Sequence, residues 1–541
     1  MTKVKPIKEY KVIDYVSLII IVALAVILRS LGQVSSVLLD SQILFREVDP
    51  YYQVRLAENM VHNGLSMLRF DHFAQYPDGA IQGYGSIIPW ITSIIANAMQ
   101  NNPSDYQIDL ISAWLPVIIA GLVCIVVYFL GKEVFKSRFV GIFGALLVAI
   151  IPSEFLHRSL LGFTDHHVLE VLFSCCAILC LIKTIRLKSW IWGIGFLLSF
   201  WLYCINWIGW PMFTAILIVW GYFYFGIKKL SRSKHWLYFG IPVVIIAIGI
   251  ISIPQVRVYA MAFLSNTFLG FTGTIQEVKP INPKDYYLLY NISGILAFGG
   301  IYLSVKHKIN SLFLVWTIFF IAASIAEKRW GYYSTIGISL YAAYVLFWIG
   351  TKVKKDWRPY ILIYCCAAII FVTYPYALGI SKRANDIPPE WNQACLWLRE
   401  ETPEPFDDPD AYYSQEDIGN PKYGVFSWWD YGHYIIQIGH RVPISSPTQQ
   451  ESDYYSFFTE DTEDKANAII SGLNIKYVMI DDTLVGPKYY AIWSKTNGSM
   501  DGWQESLEKS MIYKMYYGKS ETWVLIKQFG KLKIFGREEL D

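Results

Sequence analysis

Eleven apolar stretches, most of them long enough to cross a lipid bilayer, run through the first 380 residues of this 541-residue chain. They lie near 15–33, 112–131, 139–156, 167–183, 190–206, 208–226, 237–254, 285–305, 311–326, 331–350 and 359–379. A helix needs about 20 apolar residues to cross hydrocarbon, and backbone in lipid must satisfy its own polar groups. Such a series therefore dictates a polytopic α-helical membrane protein. Composition agrees: 54% of the residues are hydrophobic and only 17% charged, against about a quarter charged in soluble domains. A net charge of +2 argues against a nucleic-acid binder, which carries a basic excess. Seven of the eight cysteines sit in the apolar runs and only Cys395 outside them, which reads as core packing rather than a disulfide or zinc framework.

The basic residues set the orientation. Lys3, Lys5, Lys8 and Lys11 precede the first run, with no small-residue cleavage site after it, so an uncleaved first membrane helix is expected. Further clusters fall at Lys132/Lys136/Arg138, Lys183/Arg186/Lys188, Lys228/Lys229/Arg232/Lys234, Lys306/Lys308 and Lys352/Lys354/Lys355/Arg358. Each follows an even-numbered span, on the side of the N-terminus, which the positive-inside bias places in the cytoplasm. An odd number of spans then puts the C-terminus outside. Short helices could add a pair near 86–100 or 190–226 without changing that parity. Beyond the last span the chain turns polar, and short patterns such as Tyr434–Ile438 and Tyr477–Ile480 suit a mixed α/β domain. The expected organisation is a multi-span domain over 1–380 with catalytic external loops, and an extracytoplasmic globular domain over 381–541.

On this topology the polar outliers share the outer face: Glu47 and Asp49 after the first span, Asp165, His166 and His167 after the third, Glu277 after the seventh. Asp49 before Pro50 reads as a cap opening an amphipathic helix through Met60, or as a functional acid. Asp165 and His167, at the mouth of a helix, can reach one divalent ion; mixed O/N ligands allow Mn²⁺, Mg²⁺ or Zn²⁺, and a carboxylate-rich set leans to Mn²⁺ or Mg²⁺. The alternative is that Asp165 caps that helix. Glu277 lies in a glycine-bearing loop over 256–284 whose length suits a mobile lid. Arg329 at a membrane boundary either snorkels or offers a forked donor to a phosphate. In Trp428-Trp429-Asp430-Tyr431-Gly432, indole donates and carboxylate accepts, so the pair can satisfy both sides of a small hydroxyl.

That run, WWDYG, resembles the signature of the oligosaccharyltransferase catalytic-subunit family (eukaryotic STT-three, bacterial PglB, archaeal AglB). Glu47-Val-Asp49 resembles its first acidic motif, with Arg55 six residues on. Gly162 to His167 resembles the second in its archaeal Asp-X-His form, with Arg158 at the upstream position. Thr274 to Glu277 is similar to the T-I-X-E motif, and Asp481 to Ile492 resembles the archaeal D-K motif, with Leu484 where methionine is commoner. The likeness covers essentially the whole chain and is strongest to archaeal AglB, though hydropathy gives eleven spans where the family has thirteen.

The resemblance implies a GT-C type glycosyltransferase that moves a glycan from a polyprenyl (di)phosphate onto the asparagine of Asn-X-Ser/Thr. Asp49 and Glu277 would engage the acceptor amide. Asp49, Asp165 and His167 would hold Mn²⁺ or Mg²⁺. Arg329, Arg158 and His166 would meet the lipid phosphate. Trp428, Trp429, Asp430, Glu277, Lys488 and Ile492 would bind the acceptor sequence. The implied partners are a lipid-linked oligosaccharide, sequon-bearing polypeptides and membrane lipid, with no nucleic acid, and the chain acts as a single subunit. The expected location is the plasma membrane. A protein O-mannosyltransferase-like GT-C enzyme has no use for a hydroxyl-reading pocket, and a transporter would line its spans with ionisable residues.

Overall fold

The computed structural model describes residues 11–82, 86–229, 279–383, 387–448, 453–499 and 501–537. Glu277, the T-I-X-E run and the span expected at 237–254 lie outside the described residues. The other expected spans are all helices. Six of them are long and apolar enough to cross a membrane: Val12–Ser30, Asp105–Phe135, His167–Leu187, Pro283–Lys306, Lys328–Lys352 and Arg358–Ser381. The chain is a multi-pass membrane protein. The stretch expected at 139–156 forms only Arg138–Ile150, because Pro152 cannot continue a helix, and a short turn over Glu154–His157 follows. A further short helix, Ile88–Met99, occupies one of the regions where hydropathy was ambiguous.

Contacts divide the chain into two compact units: Met1–Ser35, Trp114–Leu161 and His166–Ala384 make one, and Ser36–Ala113, Gly162–Asp165 and Asn385–Asp541 the other. In the first, Lys328–Lys352 is the central helix, 78% of its apolar window being buried, against 17% for Arg358–Ser381. The outer helices leave Ile19, Ile20, Tyr364 and Phe371 exposed, as lipid-facing surfaces do. Glycines let backbones meet: a Cβ on Gly300 would lie 2.3 Å from the Tyr341 carbonyl oxygen, the small-residue packing common between membrane helices. Arg29 is fully buried. Its Nε donates to Ser159 Oγ at 2.7 Å and Nη1 to the Ala149 carbonyl at 2.9 Å, fixing the segment that leads into the second motif.

The second unit carries two sheets. Strands β1 (Phe70–Asp71) and β2 (Ala80–Ile81) form a small antiparallel pair. Strands β3 (Gly424–Phe426), β4 (Ile475–Ile480), β5 (Trp523–Phe529) and β6 (Leu532–Arg537) form a sheet in the order β3-β4-β6-β5. β3 runs parallel to β4, while β6 is antiparallel to both β4 and β5. In β4 every residue but Lys476 is buried, the mark of a central strand covered on both faces. Of the two short patterns read as strand or helix, Tyr477–Ile480 is strand and Tyr434–Ile438 lies mostly in the helix Gly432–Gln437.

Candidate active site

The acids of the first two motifs are set by backbone geometry. Helix Asp49–His62 carries Pro50 in its first turn, where the missing N–H and fixed φ suit the start of a helix. It begins one residue earlier than expected, at Asp49 with Val48 before it, and no side chain caps it. Asp49 is therefore not a cap, and its side chain is 45% exposed. Glu47, just upstream, has φ 63, a left-handed conformation that a non-glycine residue adopts at a cost of order 1–3 kcal/mol. The Arg46 amide donates to the Gly162 carbonyl at 3.0 Å, and the Gly162 amide to that of Ala113 at 3.0 Å. Thr164 Oγ1 donates to the Ser112 carbonyl at 2.8 Å. Gly162 has φ +84, and a Cβ there would stand 3.0 Å from Val37 Cγ1. The first acidic motif and the segment ending in Asp165 are thus joined by a backbone hydrogen bond.

The residue after WWDYG closes this group. His433 is fully buried at the start of helix Gly432–Gln437. It stacks on Tyr52 (centroids 4.8 Å, 13°) and its Nδ1 lies 3.8 Å from Asp49 Oδ1. Burial pushes its pKa down to about 3, against the opposing pull of the Asp71 and Asp165 carboxylates, so the imidazole beside Asp49 is neutral. Tyr52 in turn donates to Asp71 Oδ2 at 3.1 Å, and Asp71 is paired with buried Arg55 at 2.7 Å. Arg55 lies over the Tyr412 ring at 4.1 Å and the Phe73 ring at 5.0 Å. It is an anchor for the helix that carries Asp49. Gly432 is required because a Cβ would stand 2.3 Å from the Ser445 carbonyl oxygen.

WWDYG itself is a turn, not a strand. Trp429–Tyr431 form one turn of 3₁₀ helix after β3. Trp428 is buried against Tyr455 (4.8 Å), whereas Trp429 and Asp430 are partly exposed. The D-K motif meets it there. Lys488 Nζ donates to Asp430 Oδ2 at 2.8 Å and to the Tyr431 hydroxyl at 3.1 Å. Tyr431 donates to Asp481 Oδ2 at 2.6 Å, and Trp391 Nε1 to the same oxygen at 2.8 Å. Trp391 and Tyr431 also stack, 3.8 Å apart. Ile492 is fully buried on helix Tyr489–Asn497, with no exposed surface toward Asp430.

In the second motif, Asp165, His166 and His167 are consecutive, and each offers one ligand atom, all within 4.8 Å of one another. His166, not Asp165, is the residue before helix His167–Leu187, and no side-chain cap forms there. Arg158 Nη1 donates to His167 Nε2 at 2.5 Å. A guanidinium can only donate, so His167 Nε2 carries a lone pair. Carboxylate and imidazole are ligand types that suit a hard or borderline divalent cation, although Arg158 here occupies the His167 Nε2 lone pair. Arg158 also approaches Glu154, Nε to Oε2 3.6 Å, and Lys328 Nζ reaches Glu154 Oε1 at 3.1 Å. Burial works to raise the Glu154 pKa, but Lys328, His157 and Arg158 together hold it below the ordinary value. Arg329 Nε donates to Glu327 Oε2 at 3.1 Å, with its side chain 34% exposed.

Four residues escaped the sequence reading. Glu154, Lys328 and His433 carry no local signal, since only the fold brings each to its partner. Glu170 did carry one: an acid three residues into the apolar helix that His167 opens is by default a functional candidate.

The N-terminal model of oligosaccharyl transferase STT3 matches residues 17–292, and the AglB core-domain model matches 388–485. A dolichyl-phosphooligosaccharide-protein glycotransferase of Archaeoglobus fulgidus is 25% identical, aligned over 83% of this chain and 67% of its own. The crystal structure of an A. fulgidus oligosaccharyltransferase in the apo form superposes with TM-score 0.82 at 22% identity, over 96% of this chain and 80% of that one. Its complex with Zn and sulfate gives TM-score 0.77 at 22% identity, over 94% and 78%. With one family model covering more than half of it and the motifs in order along it, the chain belongs to the oligosaccharyltransferase family, of archaeal AglB type, and is a membrane glycosyltransferase of the GT-C fold with a C-terminal α/β domain.

Proposed function

We propose that this oligosaccharyltransferase moves a glycan from a polyprenyl phosphate or diphosphate to the side-chain amide of asparagine in Asn-X-Ser/Thr, with inversion and in the presence of a divalent cation. One observation carries the proposal: within one compact unit, Asp49 lies beside His433, the residue that follows WWDYG, and the Asp165 segment is hydrogen-bonded to the segment before Asp49. An enzyme that selects a hydroxyl two residues from its target needs the hydroxyl reader and the reacting acids side by side. The relative of this fold named above, solved with Zn and sulfate, supports a site for a cation and an oxyanion.

An amide nitrogen is a poor nucleophile because its lone pair is shared with the carbonyl. Asp49 and Glu277 accept its N–H bonds and twist it out of conjugation, drawing on acceptor-binding energy. Trp428, Trp429 and Asp430 supply that energy by holding the Ser/Thr hydroxyl, with Lys488 keeping the Asp430 carboxylate oriented and Ile492 packing beneath. Arg329, Arg158 and His166 steady the departing phosphate by hydrogen bonding. Asp49, Asp165 and His167 would hold a Mn²⁺ or Mg²⁺ ion, which would supply Lewis acidity toward the leaving group. The nitrogen attacks the anomeric carbon in line, opposite the departing phosphate, which inverts that centre.

The partners are the lipid-linked oligosaccharide and sequon-bearing polypeptides, met by a single subunit in the plasma membrane. Residues 1–380 form the membrane domain with its N-terminus cytoplasmic, and 381–541 the extracytoplasmic domain. The test is transfer from a lipid-linked glycan extract to a fluorescent Asn-X-Thr peptide, with Mn²⁺, read as a gel shift. Wild type shifts the peptide, and Asp49→Ala or Asp165→Ala abolishes the shift in folded protein. A wild type that leaves the peptide unshifted sinks the reading. EDTA stops the reaction and Mn²⁺ restores it, whereas transfer indifferent to EDTA removes the metal.

A further inference from the structure

Glu170 is fully buried in the apolar helix His167–Leu187, and three side-chain donors converge on its carboxylate. Tyr332 and Tyr333 donate their hydroxyls to Oε2, at 3.1 and 2.6 Å, and Tyr203 backs Tyr333 with a hydroxyl–hydroxyl bond of 2.7 Å. Oε1 faces the Nδ1 atoms of both neighbouring histidines: it is hydrogen-bonded to that of His166 and lies 3.4 Å from that of His167. Burying a carboxylate in a membrane helix costs several kcal/mol unless its lone pairs are filled, and here O–H and N–H donors fill them.

His166 is thereby constrained. An imidazole whose Nδ1–H points at a carboxylate carries its lone pair on Nε2. For His167, whose Nδ1 makes no hydrogen bond, the constraint comes from Arg158, which can only donate to Nε2. Asn206 Nδ2 donates to the His166 carbonyl at 3.1 Å, holding the backbone between the rings and the carboxylate.

We propose that Glu170 is a positioning residue: its hydrogen bond to His166 and its close approach to His167 fix the orientation of both imidazoles, so that His167 can ligate a divalent cation when Arg158 gives up its Nε2. The inference rests on the metal reading above. Carboxylate partners behind ligating histidines typically change metal affinity 10–100-fold when removed.

The experiment measures Mn²⁺ binding to the purified full chain in detergent by electron paramagnetic resonance of free Mn²⁺, for wild type and Glu170→Gln. The amide keeps the shape but loses the charge, and offers one acceptor atom where an imidazole and two phenols donate. We expect 10–100-fold weaker Mn²⁺ binding. The Mn²⁺ concentration giving half-maximal transfer should rise in parallel, with kcat at saturating Mn²⁺ within about twofold of wild type. A residue that merely supports the fold would lower kcat at every Mn²⁺ concentration instead, and that result overturns the proposal. Wild type that binds Mn²⁺, with Glu170→Gln binding it equally, overturns this inference alone. Wild type that binds none overturns the metal reading and this inference with it. Should Glu170→Gln fail to fold, Glu170→Asp, which withdraws the charge by one methylene, takes its place under the same criteria.

Discussion

Glu58 shows how one buried acid can set the pH response of the helix that carries Asp49. It lies about two and a half turns along from Asp49 with almost no exposure, accepts from Gln437 Nε2 at 3.2 Å, and sits 3.4 Å from the Tyr412 hydroxyl. Burial first, and then the Asp105 charge, push its pKa up to about 8. A carboxyl whose pKa is raised on folding stabilises the folded state while protonated. That contribution is whole below the unfolded value near 4.5 and is lost as pH rises toward 8, at up to about 1.4 kcal/mol per pH unit. Glu58→Gln keeps the shape and removes this carboxyl's titration, leaving that of the buried Asp109 beside it. Its apparent melting midpoint should match wild type near pH 5 and exceed it by several degrees at pH 8, read by thermal-shift assay across pH. A variant less stable than wild type at pH 8 would mean that the ionised form has a partner worth more than its burial costs. Asp430 makes a sharper case at the same scale, because Lys488 holds it on a partly exposed surface. Trp429→Ala and Asp430→Ala should weaken sequon-peptide binding tenfold or more, by losing a hydroxyl partner, while leaving lipid-donor binding intact. Equal wild-type rates on Asn-Ala-Thr and Asn-Ala-Ala peptides would rule the pocket out.

At the scale of elements, the helix Pro283–Lys306 bears on what precedes the acceptor asparagine. Asn282 caps it, accepting from the Asp285 amide at 2.9 Å. Some bacterial relatives demand an acidic residue two positions upstream of the asparagine and meet it with an arginine about twelve residues past the T-I-X-E glutamate. Here Val278 to Leu289 contains no arginine, and Lys279 and Lys284 are exposed. A lysine is a hydrated point charge, not a fork. Matched peptides with Asp or Ala at that position should therefore react at rates within a few-fold of each other. A hundredfold preference for Asp, about 2.7 kcal/mol, would mean that another cation does the arginine's work. Elements also mark where sequence reasoning succeeds. WWDYG, Glu47-Val-Asp49 and Asp165 to His167 are contiguous, so their chemistry can be read from a line of letters. His433 becomes conspicuous only when its ring stacks on Tyr52, and Glu154 only when Lys328 reaches it. Glu170 was visible as an acid in an apolar helix, but one charge among apolar residues is averaged away by any search for spans. The cap alternatives shift by one residue, because Val48 and His166, not Asp49 and Asp165, directly precede the two helices.

For the molecule as a whole, the pattern of lysines and arginines makes an orientation testable. Every basic cluster between spans falls on the side of the N-terminus when the apolar runs are counted in order, and moving such clusters across a membrane during insertion is disfavoured. Lys355 belongs to one cluster, between the helices Gly331–Lys352 and Arg358–Ser381, and is exposed. Asp407 belongs to the polar C-terminal part and is 94% exposed. Single cysteines placed at these two positions should differ in their reaction with a membrane-impermeant maleimide on intact cells. Native cysteines interfere little, because three are buried and the other five half-buried, and the unsubstituted chain supplies the blank. Asp407→Cys should label on intact cells, and Lys355→Cys only after permeabilisation. The chemistry depends on the outcome, because Asp430 and Asp49 belong to the same compact unit as Asp407. Labelling of Lys355→Cys but not Asp407→Cys on intact cells would place the acids in the cytoplasm. The donor glycan and the acceptor chain would then have to be met there, and the extracytoplasmic assignment would be wrong.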